Sequence, residues 1–363
     1  MRLNQTIENA YGHDGLRALE AQRKAQEIAF APIAFQVSRL MCKFGILQYL
    51  SSNTQGSTFH NIKEHTGLSD YAVHVLMAAS LFIGTVTVQN GLFYISKTGW
   101  FLINDRMAKV NMAFNHDVNY QGMFYLEESL LNGRPEGLKI FGDWPTVYEG
   151  LSSLPENIQK SWFDFDHFYS DESFPEALKI IFKDKGCVRN ILDIGGNTGR
   201  WAMQCVKYDD NVEVTVLDLP QQLEIMKKRI SGQKGAERIH GHSCDILKKD
   251  SPFPSSSYDI IWMSQFLDCF SEQQITDICR RAAGSMGPDS RLFVMETFWD
   301  RQKYETAAYC IALTSLYFTA IANGNSRMYH SADMIRCITD AGLQIEESID
   351  NIGLGHTILI CRK

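Results

Sequence analysis

Residues 192–200 read LDIGGNTGR, and this stretch decides the fold. An apolar run ends at Asp193 and Ile194, and the glycine turn from Gly195 to Gly199 then leads into a helix-like segment. A glycine turn between a strand and a helix lets a ligand approach bare backbone and the N–H groups of the helix start. The stretch therefore predicts a nucleoside-cofactor site at the carboxyl end of a parallel strand.

Strand-like and helix-like segments alternate from residue 190 onwards. This alternation predicts a mostly parallel sheet that is covered by helices on both faces. The last two of the seven predicted strands have no helix-length gap between them, so we expect a closing hairpin and one antiparallel edge strand. The predicted strands span residues 191–194, 212–217, 238–240, 258–263, 291–295, 344–348 and 357–361.

Two further acidic residues follow the next strands. Asp218, nineteen residues after Gly199 and just before Leu219, is placed to accept hydrogen bonds from ribose hydroxyls. Asp245 and Ile246 follow the third strand, where a carboxylate would receive an adenine amino group and the isoleucine would pack on the ring. A second interpretation of Asp245, as a cap of the next turn, stays open.

The identity of the cofactor follows from what the glycine turn lacks. A dinucleotide fingerprint that begins at Gly195 would also have glycines at positions 197 and 200, which are Asn197 and Arg200 here. The side chains of Asn197 and Arg200 would crowd a pyrophosphate. They therefore argue against a dinucleotide cofactor and against a nicotinamide oxidoreductase. S-adenosylmethionine has no pyrophosphate, and its amino-acid end suits Asp193 and the turn at Gly195 and Gly196.

Residues 59–103 have the pattern helix, turn, helix, two short strands and short helix, which is typical of a winged helix. The second helix, from Ser69 to Ile83, contains no Lys or Arg, although a helix that reads DNA needs cations for the phosphates. A dimerisation or substrate-flanking module is therefore favoured over a DNA-binding one. The alternative is a winged-helix regulator that senses a small molecule through the α/β domain.

Composition bounds the class of protein. The 363 residues carry 42 Asp and Glu against 35 Lys and Arg, a net charge of −7 that does not favour nucleic acid as a partner. Nine cysteines are scattered singly, and the N-terminus lacks a hydrophobic signal core. The apolar run 310–322 is too short for a bilayer. We expect a cytoplasmic protein without a membrane partner.

Five stretches carry a family resemblance: LDIGGNTG, VLDLP, CDI, SQFLDCFSEQQ and LFVMET. With them the chain resembles the S-adenosylmethionine-dependent O-methyltransferases that act on small, often aromatic, metabolites, such as the caffeate and hydroxyindole enzymes. The resemblance implies a class I methyltransferase domain, mainly an α/β Rossmann-like fold, behind a helical winged-helix dimerisation domain. It also implies a homodimer, a small-molecule acceptor and no metal. The predicted division is 1–103, a helical linker and lid at 104–185, and 186–363.

The chain departs from the family at its catalytic pair. The resemblance places the family's base, a histidine, at Asp268, its aspartate partner at Cys269 and its cofactor-contacting lysine at Ser264. Glu296 keeps the acidic residue beside the base, so Asp268 and Glu296 are the catalytic candidates. Three outcomes stay open: Asp268 acts as the base, the acceptor is acidic enough to need none, or methyl transfer is lost as in decarboxylating and hydroxylating relatives. A solvated helix residue at 268 is the structural alternative.

Aromatic and apolar side chains are the candidates for the acceptor pocket. The dense aromatic segment 162–169 is either a lid over a flat ligand or interdomain core. A metal site from its acidic residues and His167 lacks a defined ligand spacing. The spacing within 307–322 suits a buried core helix equally well. The predicted pocket residues are Phe124, Phe163, Trp299, Tyr309, Leu313 and Tyr317.

Overall fold

A computed structural model describes residues 3, 5–183, 187–251, 253–254 and 258–363. They form two compact units, one of residues 14–118 and one of residues 1–13 together with 119–363. The first unit ends fifteen residues beyond the predicted boundary at 103, because a further helix over residues 106–114 packs against the helix before it. The predicted boundary at 185/186 lies outside the described residues, and the three-part division stays a prediction.

The unit of residues 14–118 is mainly helical, with one hairpin. A buried cluster around Met41, Leu47 and Ile62 holds its helices together. Ser69 caps α6 by accepting from the Ala72 N–H at 3.2 Å, and the hairpin follows that helix directly. The order of elements over 59–104 is the predicted one. The elements are α2 (Ala18–Ala29), α3 (Ala31–Lys43), α4 (Ile46–Ser52), α5 (Phe59–Thr66), α6 (Asp70–Ile83), β1 (Val86–Gln89), β2 (Leu92–Ile95), α7 (Lys97–Asn104) and α8 (Arg106–Phe114).

The second unit contains a seven-stranded sheet in the order β5-β4-β3-β6-β7-β9-β8. Helices precede the sheet and alternate with its strands. The helices are α1 (Gln5–Tyr11), α9 (Leu126–Asn132), α10 (Val147–Gly150), α11 (Glu156–Asp171), α12 (Phe174–Ile181), α13 (Arg200–Tyr208), α14 (Pro220–Ile230), α15 (Glu272–Gly284), α16 (Glu305–Tyr317) and α17 (Ser331–Asp340). The strands are β3 (Asn190–Ile194), β4 (Glu213–Asp218), β5 (Ile239–Ser243), β6 (Tyr258–Ser264), β7 (Met286–Glu296), β8 (Gln344–Ile352) and β9 (His356–Arg362).

All seven predicted strands are present, which confirms the α/β class, but the predicted place of the antiparallel strand was wrong. Strand β9 pairs antiparallel with both β7 and β8, so the reversed strand is second from the edge and the edge strand β8 runs with the rest. Pairing preference along the chain predicts the hairpin, whereas only tertiary packing decides which of its strands meets β7.

The central strands are buried on both faces, so two hydrophobic clusters flank the sheet. On one face, Trp201 of α13 stacks on Trp262 of β6 with ring centroids 4.3 Å apart. Phe174 of α12 packs against the same Trp201 ring. This stack fixes the helix that follows the glycine turn against the sheet, and it thereby fixes the turn itself.

Helix α16 is longer than the sequence pattern suggested. It continues through a π-helical turn, so that residues 305–322 form an 18-residue helix whose length and composition would allow it to cross a membrane. The apolar run 310–322, which was expected to be too short to span a bilayer, is only the C-terminal part of this helix. About two fifths of the helix, 39%, is buried in the fold, and core helices of soluble proteins have the same length and composition.

Replacing Ser271 with Ala is expected to lower the free energy of unfolding by about 1 kcal/mol. Ser271 Oγ accepts from the Gln274 N–H at 3.4 Å, and Gln274 Oε1 accepts from the Ser271 N–H at 2.9 Å, which is a reciprocal cap at the start of α15. Urea denaturation measures the loss. Gln273→Ala, at an exposed position of the same turn, is the control, and an equal loss in both variants would contradict the capping role.

Candidate active site

Neighbouring side chains lie very close to the backbone of the glycine turn after β3. Gly195 has φ +76°, and a Cβ built on it would lie 2.2 Å from the Phe266 ring. A Cβ on Gly196 would lie 2.4 Å from Asp193 Oδ2. Asn197, in place of a fingerprint glycine, adopts φ 51°, which asparagine tolerates better than most residues. The turn thus presents backbone with no space for side chains at its first two positions.

Asp218, at the tip of β4, holds this turn from the neighbouring strand. Its Oδ2 accepts from the Asn197 N–H at 2.8 Å and its Oδ1 accepts from the Leu219 N–H at 2.7 Å. Burial raises the pKa of Asp218, while the two N–H donors act in the opposite direction. The predicted neighbours Asp193, Gly195, Gly196, Asp218 and Leu219 are therefore brought together.

Several polar atoms at these strand tips are buried and have no hydrogen-bond partner in the described part of the chain. They are Asp193 Oδ2, Asn197 Oδ1, Ser264 Oγ and Gln265 Oε1. Burial, and then the charge of Asp218, raises the pKa of Asp193 to about 8. Buried polar atoms are normally satisfied, so this row of orphaned atoms fits a polar ligand across the tips of β3 and β6. Three of these atoms are carboxyl or amide oxygens that can accept hydrogen bonds, and the Ser264 hydroxyl can donate as well as accept.

Asp245 and Ile246 are placed beyond β5, next to the turn that the sequence predicted. Asp245 Oδ1 accepts from the Leu247 N–H at 3.2 Å, and its Oδ2 lies 3.2 Å from Lys248 Nζ. These contacts are those of a turn cap. A half-buried carboxylate that caps its own turn still has accepting capacity for a second donor.

Glu296, at the tip of β7, fixes the turn between β6 and α15. Its Oε1 accepts from the Phe266 N–H at 3.0 Å and from the Leu267 N–H at 2.8 Å. Gln265 before them has φ 46°. Burial and the charge of Asp268 raise the pKa of Glu296 well above its ordinary value, so Glu296 keeps its proton where Asp268 ionises.

Asp268 is 7% exposed, within a short 3-10 turn over 267–269, which excludes the solvated-helix alternative. Burial raises its pKa to about 6. The Cys269 thiol donates to Asp268 Oδ1 at 3.4 Å, and the Tyr148 hydroxyl lies beside that thiol. The position of the family histidine thus carries a carboxylate that is poised to ionise just below neutral pH.

Helix α11 carries aromatic side chains, and one of them contacts α16. Trp162 Nε1 donates to the Tyr317 hydroxyl at 2.7 Å, and Phe163 stacks on His167 with ring centroids 5.7 Å apart. The charge of Asp268 raises the pKa of both Tyr317 and Asp166 after burial does, so these groups share one region. Arg200, the residue at the last fingerprint position, pairs with Asp171 of α11 at 2.6 Å.

The remaining predicted pocket residues are not gathered in this cluster. Phe124, Tyr309 and Leu313 are 83%, 55% and 50% exposed, because they lie on the outer faces of their helices. Trp299 is half-buried and packs edge-on against His330 at 5.1 Å. Sequence reasoning missed Tyr148 and considered Asp166 only as a possible metal ligand, since neither lies in a cofactor motif and only folding brings their charges within reach of Asp268.

The sheet order and the row of orphaned polar atoms define a class of protein, the class I methyltransferases. Residues 176–344 match the family model of the O-methyltransferase domain, and residues 22–93 match that of the Dimerisation2-like domain. Together these ranges take in about two thirds of the chain. The chain belongs to the S-adenosylmethionine-dependent O-methyltransferases of small molecules, and S-adenosylmethionine is its cofactor.

Relatives cover most of the chain. L-tyrosine C(3)-methyltransferase of Streptomyces lavendulae is 22% identical over 93% of this chain and 91% of its own length. Acetylserotonin O-methyltransferase of Bos taurus is 22% identical over 73% of this chain and 78% of its own length. The apo crystal structure of the S-adenosylmethionine-dependent methyltransferase SibL shares the fold at a TM-score of 0.71 and 23% identity, over 93% of this chain and 98% of that one.

Replacing Asp218 with Asn is expected to weaken binding of S-adenosylhomocysteine at least about tenfold, because one charge-assisted acceptor is lost and the glycine turn loses a tether. Isothermal titration calorimetry measures the affinity. Asp210→Asn, at an exposed position after α13, is the matched control. Equal affinity in both variants would contradict the assignment of Asp218 to the cofactor site.

Proposed function

We propose that this enzyme transfers a methyl group to a hydroxyl of a small aromatic molecule and that Asp268 is the base that takes the hydroxyl proton. The observation that carries the proposal is a buried Asp268 whose pKa is raised to about 6, in the position of the family base. A base is most useful when its pKa lies near the working pH. Asp268 meets that condition although an exposed aspartate would not.

The residues proposed to hold S-adenosylmethionine are the polar atoms at the strand tips. Asp193 and the Gly195–Gly196 turn suit its amino-acid end, Asp218 and Leu219 its ribose, and Asp245 and Ile246 its adenine. Ser264, with its unpaired Oγ, completes the set. When bound, the cofactor supplies an electrophilic methyl group on a sulfonium.

The residues around Asp268 are proposed to bind the acceptor and to move its proton. Asp268 accepts the hydroxyl proton. Glu296 Oε1 accepts the N–H groups of Phe266 and Leu267 and so holds the 266–268 turn in place. Phe163 and Tyr317 are proposed to hold the aromatic ring, while the pocket role of Trp299 stays a prediction. Because these side chains are already held in place before the acceptor binds, less conformational entropy is lost when the reactants are aligned for transfer. The pocket roles of Phe124, Tyr309 and Leu313 stay predictions.

A second candidate is methyl transfer to a ring carbon beside the hydroxyl. It is favoured by the relative that acts at C3 of L-tyrosine, which aligns with 93% of this chain. Removal of the hydroxyl proton activates the oxygen and the neighbouring carbons of a phenol together, so the same Asp268 would serve either outcome.

We also propose a cytoplasmic homodimer formed through a winged-helix dimerisation domain. The described cysteines are free thiols, which suits a reducing compartment. Within residues 14–118, α2 and α3 expose large apolar side chains, among them Leu19, Ile28 and Ile33. Exposed apolar surface of this kind is typical of an interface.

Asp268→Asn is expected to lower kcat on a phenol of high pKa by about a hundredfold or more. In the wild type, kcat/KM should rise from pH 5 to pH 7 and then level off, because the active base is the deprotonated form and its folded pKa is about 6. Methyl transfer from labelled S-adenosylmethionine measures both. Gln273→Ala, at an exposed site five residues on, is the control. An Asn variant with wild-type turnover would show that Asp268 is not the base.

The combined variant Ile28→Asp, Ile33→Asp is expected to shift the chain from dimer to monomer, because it places two charges on the exposed apolar helix faces. Light scattering after size exclusion measures the mass in solution. Leu247→Asp, an exposed apolar position in the other unit, should leave the dimer intact. A wild-type monomer, or a dimer that survives both charges, would contradict this interface.

A further inference from the structure

The turn that carries Asp268 is short and weakly bonded within itself. It is a single 3-10 turn, in which the Cys269 N–H donates to Phe266 O at 3.1 Å. The Phe270 N–H donates to Leu267 O at the same distance. Hydrogen bonds of a 3-10 turn have poorer geometry than those of an α-helix. Contacts from outside the turn therefore decide where the Asp268 carboxylate lies.

The carbonyl groups that follow this carboxylate are held by residues 323–329, the segment that joins α16 to α17. Asn323 Nδ2 donates to Cys269 O at 2.9 Å. The Tyr329 hydroxyl donates to Phe270 O at 2.5 Å. Two side chains of one segment thus hold two successive carbonyl groups of the turn.

The 323–329 segment is itself held firmly. Asn323 follows the π-helical turn that ends α16, and such turns often occur at functional sites. Its Oδ1 accepts from the Asn325 N–H at 2.9 Å and the Ser326 N–H at 3.0 Å, while its Nδ2 also donates to Ser326 Oγ at 2.8 Å. The amide therefore uses all of its donors and acceptors. Tyr329 is only 1% exposed, so its hydroxyl is fixed as well.

We propose, on the basis of the proposed function, that Asn323 and Tyr329 are positioning residues that hold the Asp268 carboxylate where it meets the acceptor hydroxyl. Glu296 holds the N–H groups before Asp268, and these two side chains hold the C=O groups after it. The base thus lies between two supports. A displacement of about 1 Å can lower the rate roughly a hundredfold, so both supports matter for proton transfer.

The test uses variants that remove one donor and keep the shape of the side chain. Asn323→Asp retains the oxygen acceptor of the amide but has no donor for Cys269 O, and Tyr329→Phe lacks the hydroxyl. Asn325→Asp, at an exposed position of the same segment, is the control for the added charge. Tyr304→Phe, at a position that is 66% exposed, is the control for the lost hydroxyl. Urea denaturation checks that each variant is folded.

Methyl transfer from labelled S-adenosylmethionine is measured with 4-ethylphenol, whose pKa is about 10, and with 4-nitrophenol, which ionises near neutral pH without a base. Asn323→Asp and Tyr329→Phe should each lower kcat on 4-ethylphenol at least about tenfold, because a displaced base takes the proton poorly. The loss on 4-nitrophenol should be less than about threefold, since an ionised oxygen needs no base. KM for S-adenosylmethionine should stay within about twofold, because Asp218 still holds the glycine turn.

Three results would overturn the positioning role. The first is wild-type kcat on 4-ethylphenol in both variants. The second is an equal loss on the two phenols in a folded variant, which would indicate a general structural effect. The third is unfolding of both variants, which would show that the two side chains support the fold and not the base.

Amide hydrogen exchange of the complex with S-adenosylhomocysteine gives a readout that does not need turnover. The amides of Cys269 and Phe270 should exchange at least about tenfold faster in Asn323→Asp and Tyr329→Phe than in the control variants, while those of residues 195–199 stay unchanged. If a wide panel of phenols and enols accepts no methyl group, the proposed function fails. The exchange rates still decide whether the two side chains hold the turn, and unchanged rates would contradict that they do.

Discussion

Glu296 joins the two halves of this active site. Its Oε1 accepts the N–H groups of Phe266 and Leu267, which fixes the turn that carries Asp268. The Phe266 ring in turn packs directly over Gly195, where a Cβ would lie 2.2 Å from it. The glycine turn and Asp268 therefore share one support. In the proposed function, this support aligns the cofactor and the acceptor for in-line transfer.

Burial raises the pKa of both carboxyl groups at this support. It raises the pKa of Asp268 to about 6, and burial together with the charge of Asp268 raises the pKa of Glu296 well above its ordinary value. An aspartate can in this way take the place of the family histidine, because its environment rather than its residue type sets its strength as a base.

The structure brings the residues predicted for the cofactor together, whereas it does not gather most of those predicted for the acceptor. Asp193, Gly195 and Asp218 follow from local pattern, because consecutive parallel strands bring their carboxyl ends to one edge of a sheet. Asp166 and Tyr148 carry no such pattern. They reach the region of Asp268 from segments more than a hundred residues away in the chain, and no periodicity in α11 or α10 indicates which face turns inwards.

The sequence by itself determined the α/β class, the seven strands, the glycine turn and the family, since each rests on short-range spacing of residue types. The tertiary structure decided that β9 lies between β7 and β8, that Asp268 is buried, and that Phe124, Tyr309 and Leu313 face outwards. The physical reason is that strand pairing and burial depend on contacts between distant segments. Burial also raises the pKa of Asp268 to about 6, and its proposed role as a base depends on that shift.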